Sequence, residues 1–131
     1  MTAASPTDEA RELLAAVERD RLALEILADD PRAPIEIVLF LAQQSIEKAI
    51  KSVLAHRQVA YRRTHDLVLL ERLLGTGSAL PVTHELLVRL APYAVEFRYV
   101  GVSAPIVTLQ EAVAAAAAAA AWARSVSGAA P

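Results

Sequence analysis

The chain has 131 residues, a formal net charge of −2 and 55% hydrophobic residues, much of that alanine, with aromatics at 5%. The length suits a single domain with a real core. The charge excludes a bulk nucleic-acid binder, and the absence of cysteine excludes disulfides and thiolate metal sites.

The opening MTAASPTDEA lacks the basic and apolar regions of a signal peptide, and no apolar run reaches the roughly 18 residues of a membrane span. A cytoplasmic chain without membrane contact is expected. Arginine outnumbers lysine 11 to 2 and alanine is abundant, which suggests a GC-rich prokaryotic genome.

In chain order, Ser5 is an N-cap candidate for a first helix, with Pro6 at the first helical position and Asp8 three residues on. Leu13, Leu14, Val17, Leu24 and Leu27 give its apolar face, through to Asp29. Acids outnumber arginines on it. Its polar side is therefore either a solvated face or a partner for a basic stretch further on. Asp30-Pro31 breaks the chain, and Pro34 falls in the first turn of a second helix that runs to about Arg57. The segment IEIVLFLA is apolar on nearly all sides and places this helix at the bundle centre. Further along, Ile46, Ala49, Ile50 and Val53 make an apolar stripe, while Gln44, Lys48 and Lys51 fall on other faces. Glu47 precedes Lys51 by four residues, the favourable order, contributing about 0.3 kcal/mol.

Residues 58–63 read as a loop. Thr64 can cap a third helix, LVLLERLL, with Asp66 in its first turn and Gly75 at its end. After the turn-rich GTGSALP, Thr83 caps a fourth helix, HELLVRLAPYAVEFRYV, which Pro92 bends or interrupts and Gly101 ends. TLQE, residues 108–111, has the form of a capping box opening a fifth helix. That helix carries unbroken alanine over residues 114–121, then Trp122. Alanine favours helix strongly but buries little per residue, so a thin helix results that another backbone can approach closely. The final SVSGAAP is a frayed end. Nothing alternates like a strand and nothing repeats. The fold expected is all-α, an antiparallel up-and-down bundle of about five helices, one domain over residues 1–131 with its core at about 8–125.

His56, His65 and His84 lack the spacing of a helical zinc pair, and no acidic set has calcium-loop spacing. No P-loop, dinucleotide glycine motif or GxSxG occurs, so no metal and no cofactor is expected. Three features can carry function. Residues 48–65 contain no acid but hold Lys48, Lys51, Arg57, Arg62 and Arg63, with His56 and His65. They are either a solvated helix end or a phosphate site using Lys48, Lys51, Arg62 and Arg63. Thr64-His65-Asp66 is either plain helix capping or a helix start at which His65 meets an anion. Tyr93, Glu96, Arg98 and Tyr99 lie on an apolar helix, where a buried guanidinium needs acceptors. Arg98 either pairs with Glu47 or Glu96, or faces a nucleotide beside an aromatic platform.

LAQQSIEKAIKSVLAHR, then RRTHDLVLLERLL, then YAVEFRYVG together resemble the HEPN domain (higher eukaryote and prokaryote nucleotide-binding). The likeness lies in an AQQ-x-x-EKA-x-K helix, a Thr-His-Asp-Leu helix start and an Arg-Tyr ending, with Val100 where the family usually has proline. The resemblance implies a helical bundle, commonly a homodimer, and pairing with a minimal nucleotidyltransferase in prokaryotic toxin–antitoxin modules. Glu47 and Arg98 both belong to motifs that the resemblance singles out, which makes Glu47 the preferred acceptor for Arg98 across two helices. Many HEPN proteins are metal-independent ribonucleases with an Arg-x4-6-His motif. No arginine stands at the required positions before any histidine here. The first reading is therefore a nucleotide- or RNA-binding module, with Lys48, Lys51, Arg62, Arg63 and Arg98 on phosphate and His65 and Tyr99 on ribose or base. The alternatives are a ribonuclease with His65 as general acid/base and Arg98 stabilising the phosphorane, and a structural interaction protein without ligand.

Overall fold

A computed structural model describes residues 6–94 and 107–128. All regular structure among them is helical: α1 (Pro6–Ala28), α2 (Ile35–His56), α3 (Leu67–Leu74), α4 (His84–Leu90), a 3-10 turn (Ala91–Ala94) and α5 (Leu109–Ser127). This is the expected all-α bundle.

The centre is α2, which touches α1, α3, α4, the 3-10 turn and α5. Its sequence explains that position. Val38, Leu39, Ala42, Ile46, Ala49, Ile50, Val53 and Leu54 are all buried, so apolar residues leave the helix in several directions and need cover on each. From α1, Leu14, Val17 and Leu24 are buried against this core. Thr7 and Ala10, early in α1, share a hollow with His56 at the end of α2 and with Ser127 and Gly128 at the end of α5. At the opposite end, Ala28 lies beside Leu109 and Val113. Helix α1 therefore runs antiparallel to both α2 and α5, and those two run parallel to each other. Helices α3 and α4 lie in the connection that returns the chain.

The alanine run gives α5 a face of Ala112, Ala115, Ala116, Ala119, Ala120 and Ala123, all buried, as a thin helix in close contact requires. Trp122 adds bulk once. Its Nε1 donates to the Ser78 carbonyl at 3.0 Å and pins the α3–α4 loop onto α5.

The helix ends follow capping chemistry. Thr83 accepts from the Leu86 N–H and Thr108 from the Glu111 N–H. Gly128 closes α5 in the left-handed conformation, at φ 73°. Three ends differ from the sequence reading. Pro34 is the N-cap of α2, outside its first turn, whereas the far end of α2 agrees, stopping at His56 with Arg57 as C-cap. The cap of α3 is Asp66: its carboxylate accepts from the Val68 and Leu69 N–H groups, and Thr64 Oγ1 accepts from the Asp66 N–H. Helix α3 begins later because the His65 carbonyl is held by a side chain of α2 instead of entering the helix. The expected fourth helix stops at Leu90 and tightens into the 3-10 turn around Pro92, which has no N–H to give. Ser5, and the expected continuation through Arg98 to Gly101, lie outside the described residues.

Close packing by α5 sets a test. Ala119 is 0% exposed, so Ala119→Leu overfills the contact and should cost about 1–3 kcal/mol in urea denaturation. The same substitution at exposed Ala121 should cost far less.

Candidate functional site

Gln43, Glu47 and Lys51 follow each other at four-residue intervals and form one ridge along α2. Gln43 and Glu47 are 0% and 2% exposed. Polar groups at that depth are costly unless bonded, and these are bonded throughout. One Glu47 oxygen accepts from Gln43 Nε2 at 3.1 Å and from His65 Nδ1 at 2.9 Å. The other accepts from Lys51 Nζ at 2.9 Å. Gln43 Nε2 also donates to the His65 carbonyl at 3.1 Å, and Gln43 Oε1 accepts from Gln44 Nε2 at 2.7 Å. The ridge thus grips His65 by ring and by backbone, immediately before the cap of α3. The His65 side chain remains 53% exposed.

Loop 57–66 is tied down a second time. The Tyr61 hydroxyl donates to Glu9 of α1 at 2.9 Å, and Lys51 Nζ lies 5.9 Å from the Tyr61 ring centroid, within cation–π range. Burial first, and the Glu9 carboxylate second, push the Tyr61 phenol well above its ordinary value and keep it a donor. Near the middle of α1, Asp20 accepts from Lys48 Nζ at 2.8 Å.

These contacts revise the basic stretch. Lys48 and Lys51, expected on phosphate, have intramolecular acidic partners in Asp20 and Glu47. The stretch is free of acids in sequence, but α1 and the preceding turn of α2 supply them in space. Part of the acidic α1 surface is a partner for the basic stretch, the second of the two alternatives above. Arg62 and Arg63 are exposed, as are His56 and Arg57, and none of the three arginines has an acidic partner among the described residues.

Thr64-His65-Asp66 proves to be capping and positioning at once. Tyr93 is buried on the 3-10 turn, its phenol raised by burial and then by the charge of Glu36, so it offers no exposed platform. Glu96, Arg98 and Tyr99 lie outside the described residues, and so does the expected Glu47–Arg98 pair. Among the described residues no group of three or more His, Asp or Glu could hold a metal ion.

Sequence reasoning missed Gln43, Asp20 and Tyr61. Only Gln43 left a readable signal, its four-residue offset from Glu47. Asp20 and Tyr61 act across elements that spacing does not connect.

An all-α bundle with a polar clamp from its central helix to the start of the next defines a class of helical module, here with exposed basic residues on the clamped loop. The HEPN domain family model matches residues 10–124, most of the chain, and the chain belongs to the HEPN family. No curated protein and no solved structure matches it.

The clamp makes its own prediction. Glu47→Ala strands Lys51 and the Gln43 amide in a buried setting and should cost about 3 kcal/mol in chemical denaturation. Glu47→Gln keeps the shape and an acceptor and should cost less. A loss below about 1 kcal/mol for Glu47→Ala would show that the carboxylate does not hold the site together.

Proposed function

We propose that this HEPN module binds a nucleotide or RNA through loop 57–66. The observation behind this reading is the exposed Arg62 and Arg63, without acidic partners among the described residues, beside a histidine fixed by a buried clamp. Arg62 and Arg63, with Arg57 adjoining, contact phosphate; His65 contacts ribose or base. Arg98 and Tyr99 complete the ligand set on the strength of the motif resemblance. Lys51 contributes indirectly, by holding the loop through Tyr61, and Lys48 by tying α2 to α1 through Asp20.

A second reading, a metal-independent ribonuclease with His65 as general acid/base and Arg98 stabilising the phosphorane, draws on the carboxylate-held imidazole. The missing Arg-x4-6-His motif weighs against it. The proposed setting is a prokaryotic cytoplasm, with a minimal nucleotidyltransferase partner in a toxin–antitoxin module.

Titration of labelled RNA at two salt concentrations tests the binding reading. Binding should weaken as salt rises, and Arg62→Ala/Arg63→Ala should weaken it further and flatten the salt dependence, because phosphate contacts release counterions. Binding that responds to neither leaves the loop a solvated surface. Intact RNA recovered from the same mixtures speaks against the ribonuclease.

The module is also proposed to be a homodimer. Leu22 and Ile26, one turn apart on α1, are 60% and 61% exposed, and closed two-fold pairing is the common way to cover such residues. Light scattering at micromolar concentration should give twice the 14.0 kDa chain mass; a clean monomer mass refutes it.

A further inference from the structure

The clamp fixes which nitrogen of His65 faces the ligand. Glu47 is paired with the Lys51 ammonium and, as a carboxylate, only accepts hydrogen bonds. The contact at 2.9 Å therefore makes His65 Nδ1 the donor. In the neutral ring Nε2 then carries a lone pair and no hydrogen. A half-turn of the ring would put carbon against Glu47 and break this bond, so the assignment is locked. Nε2 lies across the ring from the anchored edge and has no partner among the described residues.

An outward-facing acceptor selects for a donor, and that donor cannot be a phosphate. Arg63 stands two residues before His65 in the same strapped loop, a separation of roughly 7 Å at most along the chain. A backbone phosphate on Arg62 or Arg63 brings the adjoining sugar to His65, while the base projects away from the backbone. The 2′-hydroxyl is the sugar's distinguishing donor and is what allows a protein to separate RNA from DNA.

We propose that His65 Nε2 accepts a hydrogen bond from a ribose 2′-hydroxyl and makes the loop selective for RNA over DNA. This rests on the proposed binding reading and adds the sugar to it. Glu47 and Gln43 are the positioning residues, since Glu47 holds the ring and its tautomer and Gln43 holds the His65 carbonyl and the Glu47 carboxylate.

Fluorescence anisotropy with single-stranded RNA, DNA and 2′-fluoro RNA of one sequence tests it. The 2′-fluoro strand keeps the ribose pucker but has no hydroxyl to donate. The wild-type chain should prefer RNA over both others by about three- to ten-fold, the size of one neutral hydrogen bond. His65→Ala should abolish that preference, bringing RNA, DNA and 2′-fluoro RNA to one common affinity. Equal binding of RNA and 2′-fluoro RNA by the wild type overturns the proposal without recourse to any variant. A preference that survives His65→Ala overturns it as well. Equal binding of RNA and DNA sinks this inference alone, whereas no binding of any strand sinks the binding reading with it.

Discussion

A single buried carboxylate sets the geometry of the basic surface. Glu47 is buried on the central helix, where an unpaired charge would be costly, and meets its requirement with donors from Gln43, Lys51 and His65. Two of these donors come from its own helix. The third comes from beyond a loop, so satisfying the carboxylate also fixes where that loop ends. Asp66 can cap α3 where it does because His65, the residue before it, is already held. The fold and the candidate site therefore share one polar network, and neither can be altered there without the other.

The same network decides which positive charges face outward. Lysines along α2 turn toward acids on α1 or on α2 itself, whereas the loop guanidiniums of Arg57, Arg62 and Arg63 stay exposed without acidic partners among the described residues. A chain with net charge −2 can thus present a local basic surface by absorbing its lysines internally. Arginine suits the exposed role, since its planar fork binds phosphate oxygens in pairs.

Much of the architecture was legible in the sequence because it depends on local rules. The apolar stripe of Ile46, Ala49, Ile50 and Val53 is buried as its spacing required, and Thr83 and Thr108 cap the helices they precede. The candidate site was legible only in part. Glu47 and His65 are eighteen positions apart and meet through a loop, and no periodicity encodes that meeting. The choice of Asp66 over Thr64 as cap turns on the His65 carbonyl, a tertiary contact that outranks local preference. Charge runs misled for the same reason: the absence of acids from residues 48–65 says nothing of Asp20 lying alongside.

The placement of α5 bears on how the chain assembles. Helices α1 and α2 are joined by a short connection and can find each other quickly, whereas α5 must return from the far end of the sequence, and such distant contacts are the slow ones to close. The only tryptophan of the chain lies on that returning helix, shielded from water and hydrogen-bonded to the loop beneath it. Its indole becomes buried only when α5 docks, so intrinsic fluorescence during refolding reports the closing of the bundle, separately from the formation of the first hairpin.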